Sequence, residues 1–199
     1  MAKTLLQMLS VPQEASRLSD SALVIIDAQK EYQDGKLPLS GFQFAVEEIK
    51  TLLDRARKQN VPVWFVRHQT RAGAAIFDPG TQGFQIVDEL KPKSNEFVLD
   101  KTHPSAFVDT NFKTQLDAAD IKQLIVTGFM THACISASVR SASALGYGVT
   151  VVADACATRD LPDATGTGVV AASAIHKATL AALNDVFATI VPSQADIKD

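Results

Sequence analysis

Cysteine is scarce in this 199-residue chain: Cys134 and Cys156 are the only two, and no C-x-x-C pair exists. That excludes a disulfide framework and a paired-thiol redox motif, and it points to a reducing cytoplasm. Charge of one sign is lacking too. The 19 basic and 22 acidic residues leave a net charge of −3, so no global field recruits nucleic acid or an acidic membrane. No apolar run approaches the length that spans a bilayer. The N-terminal T-L-L-Q-M-L is broken by Gln7, ends before Pro12, and is too short for a signal-peptide core. Internal repeats, low-complexity blocks and linkers are absent as well. A hydrophobic content of 46% is enough for one substantial core. Residues 1–20 read as an N-terminal extension, in which Leu5, Leu6, Met8 and Leu9 form an apolar turn that docks on the body or on a second subunit. Residues 21–199 read as one domain.

What is present is alternation. Residues 22–26, A-L-V-I-I, are apolar without polar interruption, as in a central parallel strand buried on both faces, and they end at Asp27. From Ser40 or Gly41 to about Asn60, Phe44, Ile49, Leu52, Leu53 and Ala56 recur at helical spacing. Residues 61–67 make a second strand with Pro62 at its start. Residues 68–83 lack periodicity and carry Gly73, Pro79, Gly80 and Gly83; so long a loop is functional or mobile. Residues 96–100 read as a third strand, and Asp109 or Thr110 caps a helix to about Ala118. A strand at 122–126 and a helix at 133–145 follow, then a strand at 148–153 that ends at Asp154. Asp163 caps a long helix over 164–183, and 187–191 is the last strand. Strands alternating with helices throughout predict an α/β domain, its parallel sheet covered on both faces.

The chain is organised around T-G-F-M-T-H-A-C-I-S-A-S-V-R, residues 127–140. Cys134 falls where a buried strand turns into a helix, at the rim where open α/β sheets bind ligands. A thiol in the first helical turn faces unpaired N–H groups and the positive dipole end, which favour a thiolate. Equally, a free cysteine packs readily as a small buried hydrophobe. Parallel strands deliver their carboxyl ends to one rim, and Asp27, Lys101 and Cys134 each follow an apolar run. Alone, the aspartate reads as a turn residue and the lysine as solvated surface. Together they make a nucleophile, a base and an electrostatic support that lowers both pKa values. Backbone N–H groups at the helix start suit an oxyanion.

At V-I-I-D-A-Q, K-T-H-P-S-A-F, V-T-G-F-M-T-H-A-C-I and the G-Y-x-V-T-V-V-x-D-A run, the chain resembles the isochorismatase-like cysteine hydrolases over residues 22–191. The resemblance implies a Rossmann-like three-layer α/β/α sandwich with a six-stranded, mostly parallel sheet. It also implies an Asp27–Lys101–Cys134 triad, a cis bond between Phe129 and Met130, and an oxyanion hole from the Met130 and Cys134 amides. The implied chemistry is attack of Cys134 on a small amide, loss of ammonia or an amine, and hydrolysis of a thioester. A homodimer or homotetramer is implied too.

The departures narrow this. Nicotinamidases of the superfamily carry a D-x-H metal motif after the second strand. Here that region reads R-H-Q-T-R-A-G-A-A-I-F, and the lone His68 does not make a zinc site, so no metal and no other cofactor is expected. Isochorismatases cleave a vinyl ether and generally lack the cysteine, so Cys134 argues against that reaction. After the lysine the family commonly reads R-Y-S-A-F, whereas here His103 and Pro104 stand at the pocket edge. His103, Phe129 and His132 are the candidate pocket residues, although His132 at a helix start equally points to solvent. Cys156 reads as core, His176 as a packing residue, and Arg159 as a pocket rim, a subunit contact or a surface ion pair. Phe42, Phe77 and Phe84 cover the site or pin loops. Vinyl-ether hydrolysis and a thiol sensor built on a low-pKa Cys134 are the competing functions.

Overall fold

A computed structural model describes residues 2–199. The central sheet has six strands, all parallel, in the order β3-β2-β1-β4-β5-β8. These are β1 (Ala22–Ile26), β2 (Val63–His68), β3 (Phe97–Lys101), β4 (Gln123–Phe129), β5 (Gly148–Ala157) and β8 (Thr189–Val191). The order reverses between β1 and β4, the crevice where ligands enter such sheets.

Side-chain alternation along β1 divides the core into two layers. Leu23 and Ile25 face α2 (Phe42–Lys58), in a layer with Phe65, Ile125 and Val152. Ala22, Val24 and Ile26 face the other way, with Trp64, Val66, Leu124 and Val126, toward α3 (Phe112–Ala118), α4 (Ser136–Ala144) and α5 (Ala172–Val186). Both faces of β1 are covered, so all five residues are buried and the uninterrupted apolar run follows. Helix α2 buries Phe42, Ala45, Val46, Ile49, Leu52, Leu53 and Ala56 along one stripe, each large one stabilising the fold by roughly 1.5–3 kcal/mol. Its last turn carries Arg55, Arg57 and Lys58, which complement the negative helix end. Arg55 also clamps the C-terminal segment through the carbonyls of Gln194 and Ile197, both at 2.6 Å.

Four expectations are corrected. The helix predicted at 164–183 begins only at Ala172. In its place, β6 (Leu161–Pro162) and β7 (Val169–Val170) form an antiparallel hairpin. Asp163 accepts from Thr165 N inside that hairpin rather than capping a helix. The reason is local: Gly166 and Gly168 fall within the first turns of the predicted helix, and Gly168 has φ +151°. Strand β5 continues past Asp154 to Ala157 through an irregularity opposite residues 126–128 of β4. The helix after β4 starts as a π-turn over Thr131–Ile135, closed by Ile135 N to Met130 O at 3.3 Å, and becomes α-helical at Ser136. Helix α3 starts from Asn111, while Thr110 Oγ1 accepts from Phe112 N at 3.3 Å.

The N-terminal apolar turn is α1 (Leu5–Met8), tied to α5 by Leu5 N donating to Asp185 Oδ1 at 2.8 Å. Among the described residues, no helix is long and apolar enough to cross a membrane.

Candidate active site

Asp27 is the first residue beyond β1. Its φ of +53° puts it in the left-handed region, where a non-glycine residue is strained by about 1–3 kcal/mol. Its amide donates to Val66 O at 2.7 Å, and its side chain is fully buried. Lys101 ends β3, also fully buried, and its ammonium donates to Asp27 Oδ2 at 2.8 Å and to Cys134 Sγ at 3.2 Å. Asp27 Oδ1 is buried and accepts no hydrogen bond among the described residues, a costly arrangement for a carboxylate oxygen. So the three residues read from three strand ends meet around one ammonium.

Cys134 lies within the π-turn and is 6% exposed. Burial pushes its thiol pKa up, and the Asp27 carboxylate pushes it further; Lys101 pulls the other way and loses. This corrects the sequence expectation of a lowered pKa. The resting group is a thiol, because the loss of hydration outweighs one ammonium and a helix end. Cys156 is fully inside the core, as expected, and burial raises its thiol to about 12.

The Phe129–Met130 bond is cis, as the resemblance implied. Just before it, Gly128 has φ +116°, and a Cβ there would stand 2.0 Å from Ile26 O. Only glycine lets β4 approach β1 so closely where the strand order reverses. Behind the turn, Thr131 Oγ1 donates to Ala157 O at 3.1 Å and pairs with His176 Nδ1 at 2.9 Å. His176 therefore fixes the turn from α5. His132 is tethered rather than solvated: Nδ1 lies 2.5 Å from Thr158 Oγ1. Phe129 is fully buried against Phe42 and Tyr32, so its ring belongs to the core. His103 is exposed, and its Nδ1 accepts from Ser105 N at 3.1 Å within the turn after β3.

Tyr32, His68 and Gln29 also stand at the site; of these the sequence singled out only His68, as a histidine without partners for a metal. Tyr32 is 2% exposed and its phenol is pushed well above 10 by burial, then by the charge of Asp27. Its hydroxyl makes no hydrogen bond among the described residues. His68 Nδ1 lies 3.1 Å from Lys101 Nζ, with its ring edge-on to Phe77 at 5.3 Å. Asp27, His68 and Cys134 have donor atoms within 4.8 Å of one another, and the cation they share is the Lys101 ammonium. Gln29, fully buried two residues after Asp27, is a clamp. It accepts from His68 N at 2.8 Å and donates to His68 O and Phe84 O, both at 2.9 Å. The long loop is pinned as well: buried Glu31 accepts from Lys36 N at 2.7 Å and from Phe77 N at 3.4 Å. Of the loop aromatics, Phe77 packs on Tyr32 and His68, while Phe84 lies under Arg67.

Asp27 and Cys134 stand where the strand order of a fully parallel six-stranded sheet reverses, and comparison with known proteins names the family. Residues 21–195 match the isochorismatase domain, and the chain belongs to that family of hydrolases. It is 42% identical to Secreted isochorismatase effector Isc1 of Verticillium dahliae, across 94% of this chain and 95% of that protein. A crystal structure of an isochorismatase from Pseudomonas putida KT2440 has a TM-score of 0.93 at 40% identity, covering 99% of this chain and 100% of the other. Ureidoacrylate amidohydrolase RutB of Rhizobium rhizogenes is 28% identical, across 69% of this chain and 70% of its own length.

Proposed function

We propose that the protein is a metal-independent cysteine amidohydrolase that cleaves the C–N bond of a small amide. The observation that carries this reading is the Lys101 ammonium held between Asp27 Oδ2 and Cys134 Sγ, with Asp27 Oδ1 left unpaired. In the reaction, Asp27 takes the proton of the Cys134 thiol as sulfur attacks the carbonyl carbon. Lys101 stabilises the charge on sulfur, and the Met130 and Cys134 amides hold the oxyanion. Asp27 then returns the proton to the departing nitrogen and ammonia or an amine leaves; water, deprotonated by Asp27, attacks the thioester carbon, the C–S bond breaks, and Asp27 gives that proton to sulfur. A resting thiol fits this cycle, because its proton is the one the leaving group needs. It fits a thiol sensor poorly, since sensing requires a thiolate at rest.

The substrate in this reading carries an anionic group. Among the described residues, Arg159, just beyond β5, has a buried Nε without a partner, and its one side-chain hydrogen bond runs to Asp160 O at 3.2 Å. Arg159 follows directly after Thr158, whose hydroxyl lies 2.5 Å from His132 Nδ1, which brings it to the rim beside the π-turn. A guanidinium so placed suits a carboxylate, as in a ureido acid. The protein works in the cytoplasm on small molecules, without nucleic acid, as a homodimer or homotetramer. Exposed Leu5, Met8, Leu9 and Val186 support the assembly.

The test is ammonia release from primary amides and ureido acids, with a chelator present, for wild type beside Cys134→Ala. Release by wild type alone is expected, and equal release from both removes Cys134 as nucleophile. Arg159→Gln should erase any preference for ureido acids over their neutral amides. A second reading, vinyl-ether hydrolysis, is favoured by the name of the Verticillium relative. It predicts that Cys134→Ala keeps its activity on such an ether.

A further inference from the structure

A buried ammonium has three N–H donors, and each one left unmet is costly. Lys101 directs two at Asp27 and Cys134, and the third at His68 Nδ1, 3.1 Å away. The topology explains this third contact. Strand β2 lies between β3 and β1, and His68 is the register partner of Lys101. The lysine stem must therefore cross the end of β2 to reach Asp27, and the side chain found there is an imidazole.

We infer that His68 is a positioning residue: a neutral imidazole that accepts the third N–H of Lys101 and keeps the ammonium aimed at the Cys134 sulfur while charge develops on it. The inference rests on the proposed roles of Asp27, Lys101 and Cys134 and extends them by one residue. An ammonium only donates, so Nδ1 presents its lone pair and Nε2 carries the proton. The residue is built in rather than incidental, because Gln29 grips both its N–H and its C=O, and Phe77 fixes its ring. With three acceptors in fixed directions the ammonium does not rotate; with two, one N–H is orphaned and the N–H···S vector is free to swing.

Charge balance requires the imidazole to be neutral. Moving the thiol proton to Asp27 leaves the net charge of the cluster unchanged, whereas protonating His68 sets a second cation beside the ammonium and removes its acceptor. The charged and titratable groups facing His68 are Lys101 from β3, Asp27 from the end of β1, Cys134 from the π-turn and His103 from the turn after β3. Burial, Lys101 and His103 hold its pKa below 6.5 against the pull of Asp27.

The test uses iodoacetamide as the probe, with alkylation of Cys134 followed by mass spectrometry of its peptide from pH 5 to 9. His68→Leu removes the acceptor at similar size; His68→Asn keeps an acceptor oxygen that does not titrate. In wild type, alkylation should fall off more steeply than simple thiol titration once pH drops below 6.5. That extra fall should vanish in His68→Asn, and His68→Leu should react at least tenfold more slowly at pH 8. Equal rates in all three proteins, or an unchanged acid limb in His68→Asn, overturn the inference. If His68→Leu does not fold, the His68→Asn profile decides alone. The two failures are separable by ammonia release. Cys134→Ala inactive beside a fully active His68→Leu overturns only the role of His68, and an active Cys134→Ala overturns the cysteine mechanism together with it.

Discussion

Replacing Lys101 by methionine tests the centre of the site most directly, because it removes one charge of a pair in which both side chains are 0% exposed. At 2.8 Å the attraction is about 6 kcal/mol for an effective dielectric of 20, and desolvating each ion costs several kcal/mol in return. Removing one partner is more damaging than the pair's net worth, since Asp27 then stays buried without a cation and with Oδ1 already unpaired. Loss of one partner from a buried pair costs about 3–5 kcal/mol, and we expect that range for Lys101→Met at pH 7.5. In the variant a buried carboxylate has no cation beside it, and protonation relieves that penalty. Relative stability should therefore recover as pH falls toward 5. Adding Asp27→Asn should recover most of the loss at neutral pH and abolish its pH dependence. Urea denaturation of wild type, both single variants and the double variant, at fixed protein concentration and at pH 7.5 and 5, measures all of this. If Lys101→Met costs under 1 kcal/mol at pH 7.5, or costs the same with Asn at position 27, the buried pair does not carry the weight assigned to it.

Gly128→Ala places a Cβ 2.0 Å from Ile26 O at φ +116°, and should cost about 3 kcal/mol or more in thermal or urea unfolding; near-wild-type stability would mean that β4 can shift away from β1. His68, His132 and His176 are all held below 6.5, in each case mainly by burial, so the folded state binds fewer protons than the unfolded one. Melting temperature should thus fall as pH drops from 7.5 through 6.5 to 5.5, well above the range where carboxylates titrate; a flat profile would contradict the buried, neutral imidazoles. Glu31→Ala leaves the amides of Lys36 and Phe77 without their acceptor and should cost about 1–3 kcal/mol. Hydrogen exchange at Phe77 should quicken in that variant, and unchanged protection would show that other contacts hold the loop.

Much of the layout was legible in the chain because burial writes itself into pattern. A strand covered on both faces must be apolar throughout, so residues 22–26 declared β1 and its end at Asp27. A helix covered on one face must repeat every 3.6 residues, so α2 was readable along most of its length. Where local turn chemistry intervened, pattern misled: Asp163 read as the cap of a helix over 164–183, but Gly166, Gly168 and the Asp163–Thr165 turn made a hairpin. The proximity of Asp27, Lys101 and Cys134 followed from parallel strands sharing one rim, which needs no knowledge of strand order.

What needed the tertiary structure was everything that depends on which strand lies beside which. His68 meets Lys101 because β2 separates β3 from β1, and nothing in the sequence spacing of residues 68 and 101 encodes that register. Tyr32 follows β1 and is buried by packing on Phe77 and Phe129, neither of which is near it in sequence. The protonation state of Cys134 was likewise out of reach. A sequence shows a thiol near a helix start, but only burial, a three-dimensional quantity, decides that desolvation and Asp27 outweigh Lys101 and keep the proton on sulfur.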